Sequence, residues 1–179
     1  MEKLDWQRTV QAALNSVYSL GEVVNAFTPE QYAQAPVQFL SSGVGGHVRH
    51  CLNHVDALLN GLTSGTVDYE TRARGTGVES CKHKALAALQ RTAQKGFEFL
   101  QHESAERVLQ VVQFLDTQGT RVLVTSTLAR ELSFVASHTV HHQAMIFVVS
   151  KLLQVHLPQN CGLAPSTAVF LKAGHKCAL

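Results

Sequence analysis

Apolar residues recur at alternating spacings of three and four along much of the chain, the pattern of helices that bury one face. The first stripe crosses three heptads without interruption and comprises Trp6, Val10, Ala13, Val17, Leu20, Val24 and Phe27. Asp5 precedes this stripe as a candidate N-cap. Thr28 and Pro29 follow it in the cap and first-turn positions of another element. This region therefore predicts one long helix and the start of a new helical element.

The same periodicity predicts three more long helices, over about 44–62, 76–101 and 127–155, the last with Ser126 as its candidate cap. A polar loop, VDYETRARGTG, separates the first two of these. The runs VLQVVQFL and TRVLVTS are short and rich in β-branched residues, and the turn-like DTQG stands between them. We expect a hairpin there. The tail from Pro158 has no long periodic run, and LAPSTAVFL predicts a short closing turn.

These elements define the predicted fold class. We expect an all-α protein, a four-helix bundle with a small β-hairpin between the third and fourth long helices. The 179 residues contain no internal repeat and no linker, so they predict a single domain spanning 1–179.

Composition narrows the classes of function. Hydrophobic residues make up 45% of the chain, which is enough for a sizeable core. Lys and Arg number 15 against 13 Asp and Glu, without blocks of like charge, which argues against a nucleic-acid or membrane-surface role. Charged residues are only 16% of the chain, against the usual ~25%. A surface this poor in charge favours a homodimer.

The four cysteines, Cys51, Cys81, Cys161 and Cys177, form no CxxC pair and no framework of short spacings. The chain opens with MEKLDWQRTV, which lacks the apolar segment of a signal peptide, and it has no apolar window long enough to span a bilayer. We therefore expect free thiols and a cytoplasmic location, with Cys51 packed as a small apolar residue.

Two histidines occupy an apolar helix face in the stretch ELSFVASHTVHHQAMI. His138 and His142 differ by about 40° and one turn of rise, so both rings reach one point. His141 is also within reach of His138, but His142 continues the stripe of Leu128, Leu132 and Val135 more closely. A buried imidazole needs a hydrogen-bond partner or a metal.

The second long helix offers three further histidines in GGHVRHCLNHVD, namely His47, His50 and His54. Three imidazoles with open positions are typical of a catalytic metal site. The apolar stripe favours His47 or His54 as the inward ring, and it puts His50 near the edge. The alternative is that several of these are half-exposed surface histidines. HExxH, GxSxG, P-loop and GxGxxG motifs are absent from the sequence.

Two segments of the sequence resemble the DinB/YfiT-like family: SGVGGHVRHCLNHVDALL on the second long helix and RELSFVASHTVHHQAMI on the fourth. The closing GLAPST is similar to a tail found in one branch of that family. The resemblance spans nearly the whole chain. It implies a four-helix bundle, usually dimeric, with a divalent metal such as nickel, zinc or iron bound by one histidine of the second helix and two of the fourth. Transferred by position, these ligands are His50, His138 and His142.

Characterised relatives are metal-dependent thiol transferases that use low-molecular-weight thiols, with a hydrolase-like minority. The resemblance thus implies an enzyme that activates a thiol or water against a small-molecule substrate. Three arginines are candidates for binding the carboxylate of a thiol cofactor: Arg72, Arg74 and Arg130. Their alternative role is surface solubility or pairing with Glu70, Glu79 or Glu131. The other hypothesis is a non-catalytic metal-binding or stress-response scaffold.

Overall fold

The computed structural model describes residues 5–34, 42–71 and 74–174. Within these ranges the chain forms seven helices, α1 (Trp6–Asn25), α2 (Pro29–Ala33), α3 (Val44–Ser64), α4 (Gly77–Ser80), α5 (Lys82–Leu100), α6 (Leu128–Leu152) and α7 (Pro165–Lys172). Three strands complete the fold, β1 (Thr66–Asp68), β2 (Val108–Phe114) and β3 (Arg121–Thr127). The protein is therefore mostly helical, as predicted, with one small sheet.

The four long helices pack against one another around a single apolar core. Helix α1 contacts α5 and α6, and α3 contacts the same two helices. The predicted stripe of α1 faces inward, and from Val10 to Phe27 all its members are buried. Cys51 is 1% exposed and packs among these apolar side chains, as expected.

Side-chain caps fix where several helices begin. Asp5 accepts a hydrogen bond from the backbone N–H of Arg8 at the start of α1. Thr28 and Gln31 form a reciprocal capping box at the start of α2. Both caps confirm the sequence prediction. At α6 the cap is Thr127 and not Ser126, whose hydroxyl donates to the side chain of Glu131 instead.

The prediction of one continuous helix over 76–101 is wrong. The chain breaks at Cys81, whose backbone is extended (φ −129°, ψ 107°), so α4 and α5 are separate helices. The break lets α4 turn onto α3, where the Glu79 carbonyl lies against Gly45. Tyr32 Oη secures α4 by donating to the carbonyl of Val78 at 2.7 Å. Local periodicity does not reveal a break that depends on these distant contacts.

Strands β2 and β3 are antiparallel neighbours at the position where the two β-branched runs predict strands. A third strand, β1, pairs parallel to β2 with Val67 opposite Val111. Most of β1 lies in the segment predicted as a polar loop, so that prediction is wrong there. The closing segment is also more regular than predicted, because α7 is a helix of eight residues and not a turn. In the described ranges, every helix is too short or too polar to cross a bilayer.

Candidate metal centre

Helices α3 and α6 bring five histidines together where they pack. Helix α3 contributes His47, His50 and His54, at spacings of three and four, and α6 contributes His138 and His142. The ring centroid of His50 lies 4.9 Å from that of His138 and 4.5 Å from that of His142. The spacings place each set on one side of its helix, so the two sets meet across the helix interface.

Three of the five rings converge on one point. Single ring nitrogens of His50, His138 and His142 all lie within 4.8 Å of one another, and the Nε2 atoms of His50 and His138 are 2.9 Å apart. Two imidazoles on a tetrahedral zinc ion have nitrogens about 3.3 Å apart, given a Zn–N distance of about 2.0 Å. The three rings therefore fit a single divalent cation with small side-chain rotations.

The other two α3 histidines are the more deeply buried ones. His47 is 8% exposed and His54 is 6% exposed, whereas His50, His138 and His142 are half-buried. The stripe therefore predicted correctly which rings point into the core, but the converging ring on α3 is His50. The most buried α3 histidines and the converging α3 histidine are different residues, because the three converging rings meet at the boundary between core and surface.

His54 packs directly behind the three converging rings. Its Nδ1–H donates to the backbone carbonyl of His50 at 3.0 Å. Its ring lies 4.1 Å from that of His138 and stacks on Tyr69, with centroids 5.2 Å apart and an interplanar angle of 15°. His141 lies on the outer side of α6 and is exposed. The structure thus separates His142 from His141, as the stripe predicts.

Burial lowers the pKa of two of these imidazoles, those of His142 and His47. It is the main cause that lowers the pKa of His142 to about 3, and the neighbouring rings of His138 and His50 lower it further. Burial also lowers the pKa of His47, with a smaller contribution from His141. Because a metal binds the neutral imidazole, the environment of His142 favours the ligating form at neutral pH.

A buried carboxylate lies two contacts away from the histidines. Glu131, at 1% exposure, accepts hydrogen bonds from Tyr69 Oη (2.9 Å), Ser126 Oγ (2.6 Å) and Arg130 Nη1 (3.0 Å). This carboxylate is therefore buried and is not a solvent-exposed helix charge. Glu131 contacts the histidines indirectly, through Tyr69, which stacks on His54. The partner Tyr69 follows β1 and was missed, because it falls in the segment predicted as a loop.

The fold itself has a known counterpart. No protein-family model matches the sequence, and no curated protein sequence matches it. The crystal structure of a DinB-like protein (YjoA) from Bacillus subtilis superimposes with a TM-score of 0.59 at 16% identity. The match covers 84% of this chain and 96% of that chain. The chain has a DinB-like fold. The resemblance seen in the sequence is confirmed at the level of the fold.

Two of the three candidate arginines, Arg74 and Arg130, lie among the described residues of this DinB-like fold. Arg72 lies outside the described residues, and Arg74 is exposed on the segment that precedes α4. Arg130 pairs with Glu131, and its guanidinium lies 5.2 Å from the ring centroid of Phe134. Phe134 in turn stacks on His138, with centroids 5.6 Å apart. Arg130 is therefore separated from His138 by one aromatic ring. The role of all three candidate arginines in binding an anion stays a prediction.

The α1–α6 groove is separate from the histidines. It encloses about 730 Å³ and is lined largely by small side chains, among them Ala12, Ser16, Ser133 and Ser137. These α6 residues face α1, whereas His138 and His142 face α3.

Proposed function

We propose that His50, His138 and His142 bind one divalent metal ion and that the protein is an enzyme of the thiol S-transferase or hydrolase type. The observation that carries this proposal is the convergence of three half-buried imidazoles from two helices, with Nε2 of His50 and of His138 2.9 Å apart. An all-imidazole set binds nickel, zinc or iron, and it does not select among them.

The half-buried position of the three rings supports a catalytic role over a purely structural one. A structural site is closed by four protein ligands, whereas three ligands leave positions for a small molecule. A divalent cation bound there supplies Lewis acidity, which lowers the pKa of a coordinated water or thiol. His50, His138 and His142 would hold and orient that cation from α3 and α6.

The surroundings provide the rest of the proposed site. Phe134 packs against His138 and presents an apolar ring beside the centre. Arg130 lies over that ring, and we propose that it binds the carboxylate of a low-molecular-weight thiol. Arg72 and Arg74 are proposed for the same role from the segment before α4. We further propose a small-molecule substrate, a homodimer and a cytoplasmic location.

A non-catalytic metal-binding scaffold is the second candidate. The observation that favours it is the chain of contacts from His54 through Tyr69 to buried Glu131, which joins the histidines to the sheet. In that role the cation would stabilise the bundle without turning over a substrate.

Purified native protein separates these candidates. Elemental analysis gives the bound metal, and turnover is then measured on monobromobimane with a panel of thiols and on p-nitrophenyl acetate without thiol. Metal-dependent, thiol-dependent turnover that His138→Ala abolishes and His141→Ala retains supports the transferase, and thiol-independent hydrolysis with the same dependence supports the hydrolase. Stoichiometric metal without either activity supports the scaffold, and protein without metal contradicts the whole proposal.

A further inference from the structure

His47 contacts one of the three converging rings through a single nitrogen. Its Nδ1 lies 2.9 Å from Nδ1 of His142, and the ring centroids are 5.2 Å apart. Two neutral imidazoles at this distance share one proton, so one Nδ1 donates and the other accepts. Which of them donates is decided by what the opposite nitrogen of each ring does.

The contact with His47 leaves Nε2 of His142 as the nitrogen available for ligation. A neutral imidazole that ligates through Nε2 carries its proton on Nδ1. His142 Nδ1–H then donates to His47 Nδ1, and His47 carries its own proton on Nε2. The reverse assignment would put a proton on Nε2 of His142 and block ligation there.

The surroundings of Nε2, the second ring nitrogen of His47, are consistent with a ring whose main polar role is the contact with His142. His47 is 8% exposed, and its Nε2 has no hydrogen-bond partner among the described residues. A polar atom buried without a partner costs on the order of 1–3 kcal/mol. The ring is tolerated in the core although an apolar residue there would avoid that cost, and the polar contact that the described residues give its side chain is the bond to His142.

We propose that His47 is a positioning residue for the metal centre: it accepts the Nδ1–H of His142, fixes that tautomer, and orients Nε2 of His142 towards His50 and His138. This inference rests on the proposed metal site. The class of ligand is the divalent cation, and His47 acts on it only through His142. Hydrogen-bond acceptors behind a ligating histidine commonly raise metal affinity 10–100-fold, because they fix the ring and increase its basicity.

The direct test uses the unmutated protein loaded with zinc. Nitrogen-15 NMR of the imidazole rings should show His142 protonated at Nδ1 and His47 protonated at Nε2. A His47 ring protonated at Nδ1 in the zinc-loaded protein would overturn the inference. Because this readout needs no substitution, it does not depend on whether a variant folds.

Zinc affinity of variants, measured by competition with a chromophoric chelator, provides the second test. His47→Leu removes the acceptor and should weaken zinc binding about 10–100-fold. His47→Gln offers an amide oxygen as acceptor and should recover most of that loss, and His141→Leu, a matched change on the exposed side of α6, should retain wild-type affinity.

Equal affinity of the wild type and His47→Leu would contradict the positioning role alone. Two zinc ions per wild-type chain, reduced to one by His47→Leu, would also contradict it, because His47 would then be a ligand itself. A wild-type chain that binds no zinc, nickel or iron would contradict the proposed metal site and this inference together.

Discussion

Tyr69 Oη donates a hydrogen bond to Glu131 Oε2 at 2.9 Å, and it thereby connects the segment after β1 to the first turn of α6. Burial raises the pKa of Tyr69, and the Glu131 carboxylate raises it further, so the phenol stays protonated and remains a donor. Because the Tyr69 ring also stacks on His54, this bond fixes the inner wall of the histidine cluster.

Removing the carboxylate should destabilise the protein. Glu131→Ala leaves the buried Tyr69 hydroxyl and Ser126 hydroxyl without their acceptor, and we expect the free energy of unfolding to fall by about 2–3 kcal/mol. Urea denaturation of the metal-free protein measures the change. Glu98→Ala, an exposed glutamate on α5, should stay within about 0.5 kcal/mol of the wild type. Equal effects of the two substitutions would contradict the structural role of Glu131.

Tyr69→Phe tests the same bond from the donor side. Glu131 keeps Ser126 and Arg130 as donors after this change, so the expected loss is only about 1 kcal/mol in the free energy of unfolding. The phenyl ring still stacks on His54, so the zinc affinity should stay near that of the wild type. A loss larger than that of Glu131→Ala would show that Tyr69 has a further role.

Two glycines should respond to alanine in opposite directions. A Cβ at Gly45 would overlap the Glu79 carbonyl, so Gly45→Ala should displace α4 and cost about 1–3 kcal/mol in the free energy of unfolding. Gly21 lies inside α1 with no atom near its missing Cβ, so Gly21→Ala should raise that free energy by about 0.5–1 kcal/mol. Thermal unfolding of both variants measures the contrast, and a stabilising Gly45→Ala would refute the close packing of α3 and α4.

The metal-free protein should lose stability in acid. The ordinary pKa of histidine is 6.5, and that of His142 in the folded chain is about 3. Between these values the unfolded chain binds a proton that the folded chain does not, so the free energy of unfolding falls as the pH falls from about 6.5 to about 3. Urea denaturation across this range measures the fall. His142→Asn should flatten this dependence on pH, and identical profiles for the two proteins would contradict the lowered pKa of His142.

Local pattern predicted the long helices well, because each buries one continuous apolar face. The stripe from Trp6 to Phe27 and the caps at Asp5 and Thr28 need only neighbouring residues to be recognised. Strand β1 is different, since three residues carry no periodicity and its parallel partner β2 lies some forty residues later. The break at Cys81 likewise depends on contacts that α4 makes with α2 and α3.

The candidate site was predictable in part. The HxxxH spacing and the stripe identify His138 and His142, and the structure brings them to α3 as expected. The stripe alone would have selected His47 or His54, because it measures burial, and both are indeed buried. His50 was reached through the resemblance. The burial of Glu131 was not predicted, because a charged residue in a first helical turn is ordinarily solvated and its partner Tyr69 comes from a distant segment.

The metal content of histidine variants, measured by elemental analysis after native purification, tests the central proposal most directly. We expect one divalent ion per wild-type chain, retained in His141→Ala and His54→Ala, and lost almost entirely from His50→Ala, His138→Ala and His142→Ala, because each of these three removes one ligand. Full metal content in any of the three ligand variants, or none in the wild type, would contradict the account.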